Sequence, residues 1–202
     1  MSTLPISKEN APLVLHFGQQ LERMNDREFF ELCQLNPDLR LELTAAGDLI
    51  IMPPAGSESG RLNSTLTVRL GLWAEEDSTG VYFDSSAGFT LPNGAMRSPD
   101  GSWIKNERWE ALSPDDQEVF APICPDFVVE LRSRSDDLNT LQDKMSEYID
   151  CGARLGWLID PYSSEVYIYR PGANVEMLTA PEELSGVAEL PGFKLDMKPF
   201  WK

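Results

Sequence analysis

Apolar and polar positions follow two different periods along this chain, and the switches between them outline an α/β protein. RLELT and DLIIMPP read as two strands, with Ala45-Ala46-Gly47-Asp48 as the hairpin turn and Gly47 taking a positive φ. A helix from Asn25 or Asp26 to Cys33 precedes them, with Asp26 as its expected cap, and Asn36-Pro37 stops it. After Pro54, Leu62, Leu66, Leu70 and Trp73 recur at spacings of four, four and three, which makes one apolar helix face. Ser57 or Ser59 is the expected cap of that helix, and Asp77-Ser78-Thr79-Gly80 its end. VYFD, GFTLP and the stretch from Met96 to Ile104 follow as strands, with turns at Ser85-Ser86 and Pro92-Asn93-Gly94. Residues 105–124 form a polar excursion with a short helix behind Ser113-Pro114.

The second half repeats this grammar. Phe127, Val128, Val129 and Leu131 are almost continuously apolar, so their strand is central and covered on both faces. A helix from Asp137 to Asp150 carries Leu138, Leu141, Met145, Tyr148 and Ile149 on one face, and Gly152 suits its left-handed cap. LGWLID and EVYIYR are strands joined by Pro161-Tyr162-Ser163-Ser164. Residues 126–160 therefore form a strand–helix–strand crossover. The tail from Ala173 to Lys202 reads as short strands and turns. Residues 1–20, with Pro5 and Pro12 and no sustained period, are expected as a loosely ordered lead-in, and 21–202 as a single α/β domain with a mixed sheet flanked by helices.

Composition narrows the function classes. With 42% apolar and 25% charged residues, the 202-residue chain is ordinary globular material. It lacks the apolar run of about 18 residues that a membrane helix requires. Met1 to Pro12 holds Lys8 and Glu9 but no signal-length apolar core, so a cytoplasmic location is expected. Cys33, Cys124 and Cys151 are odd in number and widely spaced, as reduced thiols are. His16 is the one histidine, which removes most triad and zinc chemistry, and no nucleotide-binding glycine motif occurs. What remains is carboxylates, lysines and a hard metal with oxygen ligands. Asp100, behind Pro99, and Glu130, at the end of PDFVVEL, sit beside strands that otherwise read as core. A divalent cation would relieve their mutual repulsion, whereas a strand-end acid facing solvent or an arginine is the blander alternative. The formal net charge of -16 gives no long-range steering toward nucleic acid.

Pro99-Asp100, then Glu130-Leu131-Arg132 about thirty residues on, resembles the PD-(D/E)XK nuclease superfamily. More closely, residues 26 to 200 resemble the Uma-two family of restriction-endonuclease-like proteins. LELTAAGDLIIMPP, RSPDGSWI, CPDFVVELRSRSD and DKMSEYIDCGARLGWLIDP carry the resemblance. Pro-Asp alone carries none of it, because Pro125-Asp126 matches equally well. The resemblance implies a restriction-endonuclease-like core and a magnesium- or manganese-dependent endonuclease acting on DNA, with homodimers common in the fold. It implies that Asp100 and Glu130 hold metal and that Glu42 is a further metal-site acid. The lysine expected two residues after Glu130 is replaced by Arg132, which cannot act as a base but can clamp phosphate. Lys144, at the edge of the following helix's apolar face, is the candidate for a relocated catalytic lysine. Gln142 and Tyr148 are weaker candidates. Arg97, Arg132 and Arg134 are expected near the site as a phosphate-binding patch; surface pairing with neighbouring aspartates is the alternative. A catalytically weak binding or regulatory protein on the same fold is the competing functional expectation.

Overall fold

Runs with one apolar face become antiparallel strands here, and the nearly all-apolar runs become interior ones. The computed structural model describes residues 12–16 and 24–201. Its first half contains β1 (Leu13–His16), α1 (Asp26–Leu35), β2 (Arg40–Leu43), β3 (Asp48–Met52), α2 (Ser57–Asp77), β4 (Gly80–Asp84), β5 (Phe89–Thr90) and β6 (Met96–Arg97). After these come β7 (Gly101–Lys105), α3 (Asn106–Trp109), α4 (Pro114–Gln117), β8 (Phe127–Leu131) and α5 (Leu138–Asp150). The last part holds β9 (Leu155–Asp160), β10 (Glu165–Tyr169), β11 (Glu176–Thr179), β12 (Glu183–Ser185) and β13 (Lys194–Asp196).

Two sheets share the core. The larger is mixed, ordered β11-β10-β9-β8-β7-β4, with β8 and β9 parallel across the α5 crossover. The smaller is antiparallel, ordered β1-β3-β2-β6-β5. On one face of the large sheet, Leu62, Leu66 and Leu70 of α2 pack on Trp103, Phe127 and Trp157, and the β12–β13 hairpin adds Phe193 and Leu195. On the other, Leu141, Met145 and Tyr148 of α5 pack on Ile104, Val128 and Leu158. That double cover explains why every residue of β8 and β9 is buried. Gly156 lets α5 sit close to the sheet, since a Cβ there would lie 2.5 Å from the Met145 methyl. Phe29 of α1 closes the small sheet over Leu41, Leu43 and Met96.

Several local expectations need correction. The stretch from Met96 to Ile104 is not continuous strand. It breaks at Ser98-Pro99-Asp100, where the chain leaves the small sheet and enters the large one, and Pro99 cannot donate a ladder hydrogen bond. The cap of α2 is Gly56 rather than a serine, with no side-chain cap bond. Asn25, not Asp26, caps α1, in a reciprocal capping box with Glu28. Within the expected lead-in, Leu13–His16 pairs with β3 as an edge strand; the rest of residues 1–20, apart from Pro12, lies outside the described residues. Gly47 does take a positive φ, of 82°.

Candidate active site

The β7–β8 ladder sets Asp100 beside the end of β8. Gly101 pairs with Val129, and the Leu131 amide donates to Asp100 Oδ2 at 2.9 Å. From α2, Asn63 Nδ2 donates to Asp100 Oδ1 at 3.0 Å. Glu130, the next-to-last residue of β8, turns its carboxylate toward α5. There Lys144 Nζ lies 2.8 Å from Glu130 Oε1, and the Tyr148 hydroxyl donates to the same oxygen at 3.1 Å. Lys144 also reaches Glu42 Oε1 of β2 at 2.8 Å. One ammonium from α5 thus bridges an acid of each sheet. Glu42 is held further by the Ser98 amide at 3.1 Å and by Arg97 Nη1 at 3.2 Å, and Arg97 is anchored by Glu147 at 2.7 Å. Glu42, Ser98, Glu130 and Lys144 line a cleft of about 790 Å³ together with Asp100, Asn63 and Ser135, and Tyr148 stands buried behind Glu130.

The charges do not balance evenly. Burial opposes the ionisation of Glu42, but Lys144 and Arg97 outweigh it and hold its carboxyl below the usual range. Burial alone would also discharge Lys144, yet Glu130 and Glu42 keep it protonated well beyond neutrality. Glu130 is the group left short. Burial, together with the charges of Asp100 and Glu42, pushes its carboxyl up to about 7 although Lys144 pulls the other way. Burial likewise drives the Tyr148 hydroxyl well above its ordinary value, so it stays protonated and keeps its proton to donate to Glu130.

Asp100, Glu130, Lys144 and Glu42 line one cleft, brought there by the β6–β7 junction, β8, α5 and β2. Glu42 arrives as the counter-ion of Lys144, with both oxygens engaged. Arg97 is buried between Glu42 and Glu147, and Arg132 turns away to Asp160 Oδ2 at 2.6 Å. Of the three arginines, Arg134 alone lies exposed at the cleft, stacked 5.5 Å over Tyr162. Sequence reading missed Asn63, Glu147 and the Ser98 amide. A signal existed for two of them: Glu147 follows Lys144 by three residues on one helix face, and Asn63 is a weak helix former inside a leucine-patterned helix. Nothing in the sequence marks the Ser98 amide. Among the described residues, no group of three or more His, Cys, Asp or Glu is arranged to hold a metal ion. The cleft offers instead a pair of acids, Asp100 and Glu130, the latter raised by its burial and further by the charges of Asp100 and Glu42. Asp100 meets neutral N–H donors only. That shortage of positive charge and the all-oxygen donor set fit a hard divalent cation that keeps much of its own water.

A mixed sheet crossed by α5, a second antiparallel sheet and a carboxylate–lysine cleft at their seam define a restriction-endonuclease-like α/β protein. Residues 26–198 match the Uma2 family, described as putative restriction endonuclease, and the chain belongs to that family. Among solved structures, it is similar to a putative nuclease belonging to DUF820 from Anabaena variabilis ATCC 29413. The TM-score is 0.68 at 19% identity, over 80% of this chain and 89% of that one. No curated protein matches. Among the described residues, no helix is long and apolar enough to cross a membrane.

Proposed function

We propose that the protein is a divalent-metal-dependent endonuclease that hydrolyses DNA phosphodiester bonds. The observation that carries this reading is the position of Lys144. Its ammonium lies 2.8 Å from both Glu130 and Glu42, in the cleft that Asp100 lines. Membership of a family described as restriction endonuclease supports it. Asp100 and Glu130 would hold magnesium or manganese, which on binding would supply Lewis acidity toward the phosphate and an activated water. Lys144, fixed in its protonated form, cannot take a proton. It offers N–H donors and a positive charge to the attacked phosphate or to the water that attacks it. Glu42, clamped by Arg97 and the Ser98 amide, keeps the lysine pointed at the cleft. Arg134 supplies a phosphate contact at the mouth. Arg97 and Arg132 act behind the site rather than on substrate. A homodimer presenting two such clefts would cut both strands.

The test is calorimetric magnesium and manganese binding to the wild type, Asp100→Asn and Glu130→Gln, beside cleavage of supercoiled, linear and single-stranded DNA. Metal binding lost in both variants, with metal-dependent cleavage by the wild type, supports the reading. Sedimentation reports the dimer. A second reading, a nuclease-fold protein that binds without cutting, is favoured by one observation. Arg97 and Arg132 are spent on internal pairs in a chain of net charge -16. Metal-free, cleavage-free binding of a nucleic acid or protein partner would select it.

A further inference from the structure

Arg40 is an exposed cation without a counter-ion at the border of the cleft. It opens β2 two residues before Glu42, so both side chains leave one face of the strand, and both line the cleft. Unlike Lys144, Arg97 and Arg132, it enters no ion pair among the described residues; its Nη2 donates to the Ser85 carbonyl at 3.3 Å. Beside Arg40 the small sheet has a gap. β6 pairs with β2 at Leu43 and then leaves through Ser98 and Pro99 for the large sheet. Arg40, Leu41 and Glu42 are thereby left without a strand on that side, and a hollow of about 440 Å³ opens against them. Phe30, Cys33, Pro37, Leu39 and Phe120 line it, and Leu39 is 42% exposed. Arg40, Glu42, Met52 and Ser98 border both hollow and cleft, so the two adjoin.

A guanidinium at the mouth of an aromatic and aliphatic hollow matches the two halves of a nucleotide. The charge takes a phosphate, and the apolar walls take a base. In a duplex the bases are paired and stacked, and one reaches such a hollow only by leaving the stack. A chain of net charge -16 draws little on phosphate neutralisation, so contacts to bases add what the backbone does not supply. Resting on the nuclease reading above, we propose that the hollow is a base-binding subsite, that Arg40 holds the phosphate at its mouth, and that the substrate is a DNA strand with unpaired bases.

The experiment is fluorescence anisotropy with calcium in place of magnesium and three labelled probes of about 16 nucleotides. These are oligo-dT, an abasic strand of equal length, and oligo-dT annealed to its complement. Oligo-dT should bind about 10-fold tighter than either other probe. Arg40→Ala should lower the salt slope by about one unit for both single strands, and Arg40→Lys should restore it. Leu39→Ser should remove the preference for oligo-dT over the abasic strand and leave the slope alone. A second measurement needs no variant: alkylation of Cys33 by N-ethylmaleimide, followed by peptide mass. Burial pushes the Cys33 thiol up to about 11, so its reaction is slow enough to time. Oligo-dT should suppress it and the abasic strand should not, with Cys151, which lines a separate groove, as the internal standard. Equal affinity for oligo-dT and the abasic strand or the duplex overturns the subsite. So does a preference that survives Leu39→Ser or leaves Cys33 unprotected, or a slope unchanged in Arg40→Ala. In each case the nuclease reading stands if magnesium-dependent cleavage of DNA is seen. A protein that binds and cuts none of the three probes brings down both.

Discussion

Two of the chain's four Pro-Asp pairs, Pro99-Asp100 and Pro125-Asp126, lie at opposite ends of one ladder, and their surroundings differ in kind. Asp126 sits just before β8. Its carboxylate pairs with Arg108 at 2.9 Å and accepts the Lys105 amide at 3.0 Å. Asp100 sits at the other end of the same β7–β8 pairing and receives two neutral donors, from Asn63 and Leu131, in an open cleft. Its neighbour Glu130 is pushed up to about 7. At one end a permanent cation closes the account within the protein, and at the other the sum is left negative beside open space. The dipeptide is therefore uninformative, and the charge left over around it is what separates an internally paired aspartate from one open to a further charged partner.

Substitutions at the two ends should split cleanly. Asp100→Asn and Glu130→Gln are expected to abolish calorimetric metal binding and lower cleavage by at least about 100-fold, with folding stability in urea unchanged or raised. Asp126→Ala should do the reverse, costing about 2–3 kcal/mol of stability at wild-type metal affinity. Metal binding lost in Asp126→Ala and kept in Asp100→Asn would falsify the contrast. Lys144→Ala should fail on both counts, because Glu42 and Glu130 would then face each other without their shared cation. Cleavage should fall by about 100-fold or more and stability by about 3 kcal/mol.

Much of this could be read from the chain beforehand. Continuous apolar character marked β8 as the central strand, and leucine spacing marked α2. The edge position of Lys144 on α5 foretold its reach into the cleft. What could not be read is which charges meet across long separations. Arg97 and Arg132 look alike in sequence, two basic residues near two acids. Yet Arg97 finds Glu42 and Glu147 from distant elements, and Arg132 finds Asp160 on the parallel neighbour strand. Periodicity tells which face a side chain occupies and not which partner lies opposite. The break at Ser98 to Asp100 escaped for a related reason: two strands of different sheets follow each other with one proline as the only mark.

The titration of Glu130 sharpens the same contrast. A carboxyl raised from 4.5 to about 7 on folding binds its proton more tightly in the native state. Its contribution to stability is complete below pH 4.5 and is lost as the pH climbs through 7. Metal-free wild type should therefore lose about 3 kcal/mol relative to Glu130→Gln between acid and mildly alkaline buffer. Urea unfolding at several pH values measures this, and added magnesium should restore the loss. A parallel pH course for the two proteins would remove Glu130 from its assigned role. The smallest effects concern the arginines. Arg134→Ala should flatten the salt dependence of DNA binding by about one unit of slope with stability intact. Arg132→Ala should leave that slope alone and cost about 1–2 kcal/mol.

The lysine bridge joins residues 102 positions apart, Glu42 and Lys144. On a ribosome the strand carrying Glu42 emerges early and α5 much later. A half-made copy would hold Asp100 and Glu130 without the helix that presents the ammonium. On the nuclease reading, a truncated or stalled chain is a blank: the capacity to damage a chromosome arrives only when the crossover helix has docked, late in synthesis and all at once.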